Sequence, residues 1–248
     1  SKGASKTDIE SKEQILRRVR NLSEINPMLG HRGVRLGISI PAIYEMQTKA
    51  IAEAMCEVKK AGINVIPEIM LPNVSLASEM QLLRERLEKL IVKVIKESGT
   101  EVNYKIGTMI ETVRAAVTAS EIAKSAEFFS FGTNDLTQGT FSFSREDAEA
   151  KFIPKYIELG VLPWNPFESI DLEGVGEVMK MAISRGRSAS PKLKIGICGE
   201  QGGDPMSVEF CHKIGLDYVS CSPFRIPVAR LAAAQIAIKE KGSRPETL

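Results

Sequence analysis

Phe128-Phe-Ser-Phe-Gly-Thr-Asn-Asp135 is the stretch on which the reading of this chain turns. An aromatic run too short for a helix stops at a glycine, and three polar residues follow at once. That is the pattern of a buried strand delivering polar groups to its end. Four other runs repeat it: Asn64-Val-Ile-Pro-Glu-Ile-Met70, Tyr104-Lys-Ile-Gly-Thr-Met-Ile-Glu111, Lys194-Ile-Gly-Ile-Cys-Gly-Glu200 and Tyr218-Val-Ser-Cys221.

Helical patterns separate the runs. Leu83, Leu87, Leu90, Ile91 and Val94 line one face of a long helix expected near 76–97, which Gly99 ends. Further helices are expected near 113–124, 171–186 and 205–214, with an Ala-rich one near 224–240. A long connection over roughly 137–168 carries Pro154, Pro163, Trp164 and Pro166. Alternating strands and helices imply a parallel sheet with right-handed crossovers.

Ahead of this alternation, residues 1–10 are polar and expected to be mobile. Ser11-Lys-Glu-Gln14 reads as a capping box. It is followed by an apolar face of Ile15, Val19, Leu22 and Ile25, with Pro27 as the stop. Pro41 opens another helix and Gly62 closes it. Arg35-Leu-Gly-Ile-Ser-Ile40 reads as either an extended segment or a loop. The expected division is 1–62, a tail with helices packing on the sheet, and 63–248, the strand-helix units. Closing a β/α barrel takes about eight strands. With five, the chain is an open α/β sheet or a barrel lacking its first three strands. Open edges of either kind favour self-association.

Bulk composition excludes several classes. The net charge of +2, with no Lys/Arg block, argues against nucleic acid. No apolar run approaches the roughly 18 residues of a membrane span, and the first thirty residues lack an apolar signal core. Cys56, Cys198, Cys211 and Cys221 show neither a disulfide framework nor zinc spacing, which suits a reducing, cytoplasmic setting.

Glu111 and Asp135 end neighbouring strands, one helix apart, so their carboxylates converge on one mouth. Nearby carboxylates repel unless a cation or proton lies between them, and Mg²⁺ suits such a pair. Either residue can equally cap the helix that follows. Gly132-Thr-Asn-Asp135 offers a close backbone approach to a ligand, or an ordinary turn. Cys198, between glycines at a strand tip, is a candidate proton donor or nucleophile, or a structural thiol. Position alone does not rank it above Cys221. Arg32 and Arg145, expected in loops, are candidates for anion contacts or solvated surface residues. Cys56, Cys211 and His212 sit on expected helices and read as structural.

Five stretches together resemble the C-terminal PEP/pyruvate domain of the pyruvate, phosphate dikinase family, among the PEP-utilising enzymes. They are Asn26-Pro-Met-Leu-Gly-His-Arg-Gly33, Gly107-Thr-Met-Ile-Glu111, Phe128 to Gln138, Gly196-Ile-Cys-Gly-Glu200 with Gly202-Gly-Asp-Pro205, and Tyr218 to Arg225. Enzyme I of the bacterial sugar phosphotransferase system and pyruvate, water dikinase are similar relatives. The resemblance implies a TIM-type β/α barrel, here its last five units plus N-terminal helices. It implies Mg²⁺ on Glu111 and Asp135, and substrate contacts from Glu111, Gly132, Thr133, Asn134, Asp135 and Arg145. Cys198 is implied to protonate the methylene carbon of the enolate. Also implied are pyruvate and PEP as ligands, a phosphohistidine on a separate domain, ATP and phosphate use by the whole enzyme, and a homodimer. The family compartment extends to organelles such as plastid or glycosome. This sequence departs from the pattern at Thr112-Val113, at Gly139, where Met is common, and at Gln201, where His is common. A non-catalytic oligomerisation piece and a pyruvate aldolase are the competing expectations.

Overall fold

The structure, a computed structural model, describes residues 5–23 and 29–242. In chain order it runs α1 (Lys6–Leu22), α2 (Val34–Ser39), α3 (Pro41–Lys60), β1 (Glu68–Leu71), α4 (Ala77–Ser98), β2 (Lys105–Ile110), α5 (Val113–Val117) and α6 (Ala119–Ala123). Then follow β3 (Phe128–Gly132), α7 (Thr133–Phe141), α8 (Arg145–Lys151), α9 (Ile153–Glu158), α10 (Val175–Ala189) and β4 (Lys194–Cys198). The series ends with α11 (Pro205–Lys213), β5 (Tyr218–Val219) and α12 (Ile226–Gly242). Two short 3₁₀ turns, Glu200–Gly203 and Pro223–Arg225, precede α11 and α12.

All five strands form one parallel sheet in the order β1-β2-β3-β4-β5. Right-handed crossovers between consecutive parallel strands place the intervening helices on one face. That face holds the main core, where Ile106, Ile110, Phe129, Phe131, Ile195 and Ile197 meet Leu83, Leu87, Met179 and Ile183. The other, inner face mixes Met70, Met109, Phe128 and Tyr218 with small and polar residues. Its register sets Ser130, Gly196 and Tyr218 in one row, with Gly132 and Cys198 in the row above. At the N-terminal ends of the strands, Lys194 Nζ donates to both oxygens of Glu68 at 2.9 and 2.8 Å, and Lys105 approaches the same carboxylate at 3.9 Å.

Several sequence expectations are corrected here. The first helix starts at Lys6, so residues 6–10 are helical and Ser11 lies inside the helix. Ser5 is the cap instead. Its Oγ accepts from the Asp8 amide at 3.2 Å and donates to the Asp8 carboxylate at 2.7 Å, the same capping logic placed earlier. Ile15, Val19 and Leu22 are exposed, and α1 buries no residue. Ile25 and Pro27 lie outside the described residues. Of the 35–40 segment, residues 35–39 are neither extended nor a loop but the body of α2, which Ile40 caps. Val34 anchors it by donating to Pro72 O at 3.0 Å, and Gly37 leaves room for the Tyr44 ring. The helix expected over 113–124 breaks at Thr118, whose hydroxyl bonds back to Arg114 O at 2.9 Å. The long connection is mostly helical. Ala148, Ile153 and Phe167 give α8 and α9 a small core of their own, with Phe143 and Phe152 packed against it.

Candidate functional site

Glu111 and Asp135 do converge. The Glu111 side chain lies over Gly132, where any Cβ would come within 2.4 Å of its Oε2. Only glycine permits that approach. Glu111 is 5% exposed. β3 runs straight into α7 without a loop, so Asp135 sits in the first turn of a helix. Asn73, just past β1, bridges the pair: its Nδ2 donates to Glu111 Oε1 at 3.1 Å and to Asp135 Oδ2 at 3.2 Å, and its backbone amide also donates to Glu111. Asn73 holds a left-handed backbone (φ 58°), which asparagine tolerates better than most side chains. Its Oδ1 is buried without a hydrogen-bond partner. Arg32 closes the ring, with Nη1 3.0 Å from Asp135 Oδ2. Gln138 Nε2 donates to Asp135 Oδ1 at 3.3 Å.

Among the described residues the ion pair at this site is Arg32 with Asp135, while Glu111 is held by the Asn73 amides. Burial pushes the Glu111 carboxyl up to about 7, with Asp135 adding to the rise and the Asn73 amide and Arg32 opposing it. The phenol of Tyr44, on α3, is also raised, by burial first and then by the Glu111 charge.

Cys198 borders the same region from β4. It stands in register with Gly132, and its thiol is raised by burial, with Glu111 adding to the rise. Sγ reaches Phe131 O at 3.5 Å. Behind it the wholly buried Ser130 hydroxyl makes no close hydrogen bond, yet it faces both the Cys198 thiol, whose ionisation it favours, and the Tyr218 phenol. Cys221 does not end a strand as expected but lies two residues past β5, and it lines a different cleft of about 390 Å³ with Asn134, Glu200 and Arg225.

The remaining candidates are placed as follows. Thr133 is fully buried, and its hydroxyl donates to Gln201 Oε1 at 2.6 Å. Asn134 Oδ1 is buried without a partner. Arg145 is not in a loop. It is the first residue of α8, and its guanidinium is held by Glu200 at 2.8 Å and Glu149 at 3.0 Å. Its backbone amide donates to Gln138 Oε1 at 2.9 Å. Cys56 and Cys211 are buried, and His212 pairs with Glu240 at 2.9 Å. Asn73 was missed because it lies past a strand whose end is Leu71, not an acidic residue. Its only sequence signal is Pro72-Asn73, a turn dipeptide.

A cleft of about 350 Å³ opens beside the carboxylates, lined by Asn73, Glu111, Val113, Asp135, Gln138, Gly139 and Phe143 among others. Among the described residues no group of three His, Cys, Asp or Glu side chains is placed to hold a metal. No described helix is long and apolar enough to cross a membrane.

A parallel sheet with helices between its strands, and polar groups gathered at the strand ends, defines an α/β protein. Residues 5–238 match the family described as PEP-utilising enzyme, PEP-binding domain, and the chain belongs to that family. It is 58% identical over 93% of its length to a pyruvate, phosphate dikinase of Entamoeba histolytica, covering 26% of that protein. It is 53% identical over 92% of its length to the Clostridium symbiosum pyruvate, phosphate dikinase, again covering 26%. The chloroplastic pyruvate, phosphate dikinase 1 of Arabidopsis thaliana is 56% identical over 91% of this chain, which covers 23% of it. The chain thus spans about a quarter of the length of the curated relatives it matches. A citrate lyase structure from Burkholderia xenovorans LB400 aligns with a TM-score of 0.45 at 13% identity, covering 73% of this chain and 57% of that one.

Proposed function

We propose that this chain is the pyruvate/PEP half-site of a pyruvate, phosphate dikinase, built on the last five units of a TIM-type barrel. The observation that carries this reading is the pairing of buried Glu111 with partly buried Asp135, joined by the Asn73 amide and bordered by Cys198. Relatives named for that activity at more than half identity support it. The sequential strand order supports the barrel, because it leaves one sheet face without helices, as a barrel interior requires.

The donor set fits Mg²⁺, which takes one or two carboxylates and completes its shell with water and substrate oxygens. Glu111 and Asp135 would hold it, and the orphaned Asn73 Oδ1 has capacity for one of its waters. When bound, Mg²⁺ supplies positive charge that lowers the cost of forming the pyruvate enolate. Everything else falls to the chain. Gly132, Thr133, Asn134 and Asp135 present the start of α7, whose first-turn amides suit a carboxylate or phosphate oxygen. Cys198, its thiol held protonated, gives its proton to the methylene carbon as enolpyruvate becomes pyruvate. Arg145 reaches substrate by exchanging a carboxylate partner. The phosphoryl group passes between the enolate oxygen and a histidine of a separate domain, and the whole enzyme uses ATP and phosphate. A homodimer is part of the same reading.

Isothermal titration of the folded chain with Mg²⁺ and oxalate, an enolate mimic, tests this. Binding that Glu111→Gln abolishes is the expected result. Wild-type protein that is folded by circular dichroism yet binds neither sinks the reading.

A further inference from the structure

We propose that Gln201 is a positioning residue that locks the start of α7 onto the end of β4, and so sets where Asp135 stands relative to Cys198. This rests on the half-site reading above.

Gln201 is wholly buried, and both halves of its amide are used. Oε1 accepts from the Thr133 hydroxyl at 2.6 Å, and Nε2 donates to Pro166 O at 3.1 Å. The orientation is fixed by chemistry, since a proline carbonyl can only accept. Thr133 Oγ1 also reaches Cys198 O at 3.3 Å. One side chain therefore joins the end of β4, the first residue of α7 and the connection before α10. Backbone geometry brings Gln201 there. Gly199 turns the chain off β4 at φ 109°, and a Cβ on Gly202 would lie 2.1 Å from Ser220 O.

A second set of contacts closes a circuit. Arg145 grips Glu200, the neighbour of Gln201, while its amide holds Gln138, which holds Asp135. Asp135 is thus braced from both ends of one loop of bonds. A glutamine that only filled space would not need partners on every side of the site. Outer-shell partners of this kind set the aim of groups that never touch them.

The test uses the full chain with Gln201→Leu, Thr133→Val and Gln201→His. Iodoacetamide labelling at neutral pH, resolved by cysteine through mass spectrometry, reads the β4 end. Calorimetry with Mg²⁺ and oxalate reads the carboxylate side. Gln201→Leu is expected to speed labelling of Cys198 about tenfold while Cys56 and Cys211 stay unreactive. It is also expected to weaken Mg²⁺–oxalate binding about tenfold. Thr133→Val should reproduce both effects, and the double variant should add nothing. Gln201→His should restore both, because a neutral imidazole keeps one acceptor and one N–H. Wild-type Cys198 labelling in Gln201→Leu overturns the proposal. So does labelling of Cys56 and Cys211 together with Cys198, which marks general loosening. Absence of Mg²⁺–oxalate binding in the wild type sinks the half-site, while the labelling arm still decides the bracket.

Discussion

The two ends of the inner sheet face carry charge in opposite ways. At the N-terminal end Glu68 is met by Lys194 and Lys105, two ammonium groups for one carboxylate, all of them partly exposed to water. At the C-terminal end Arg32 pairs with Asp135, and the Glu111 carboxyl is pushed up to about 7. Charge of the first kind, which water still reaches, is cheap to keep. Charge of the second kind, shut away from water at Glu111, costs stability, and such perturbed groups cluster at functional sites.

The strongest way to break that contrast is Glu111→Gln. A carboxyl near 7 when folded and near 4.5 when unfolded holds its proton better in the folded state. Its contribution to stability is fully present below about 4.5 and is lost as pH rises through about 7. At pH values well above 7 without divalent metal, Glu111→Gln should therefore stabilise the chain by about 3 kcal/mol. Paired chemical denaturation curves should show that gain shrinking to nothing in acid. Asn73→Gly comes next. It keeps the left-handed backbone and the amide to Glu111 but loses the side-chain bridge, at a cost of about 2 kcal/mol, read by the same titration.

Gly139→Ala sharpens the picture from the helix side. A Cβ there meets only Val113 Cγ2 at 3.7 Å. The change should raise stability by about 1 kcal/mol in thermal melts and leave Mg²⁺–oxalate affinity alone. Glu68→Gln should cost least, under about 1 kcal/mol, because all three partners of that ion cluster are partly exposed. A larger loss in salt-dependent melts would show that water does not keep the charge at this end cheap.

Four strands were legible because each is a short apolar run closed by glycine or polar residues, whereas β1 begins at Glu68, later than expected, and ends at Leu71. The β4 bounds and the convergence of Glu111 with Asp135 follow from that punctuation alone. The first helix start was not legible, since Ser5 and Ser11 both present caps and only packing or length chooses between them. Helices α8 and α9 are too short to show a period, and aromatic packing shapes them. Asn73 and Gln201 stayed hidden for a different reason. Their roles are set by partners far along the chain, Glu111 and Asp135 for one and Thr133 and Pro166 for the other. No local pattern encodes such a meeting.

Because β1 to β5 stand in the sheet in the order in which they occur along the chain, every strand pairs only with its immediate predecessor and successor. Assembly can then proceed by accretion as the polypeptide leaves the ribosome, each new unit zipping onto the last without waiting for a distant segment. The carboxylate pair is complete once β3 and the first turn of α7 are laid down, well before the thiol of β4 has been synthesised.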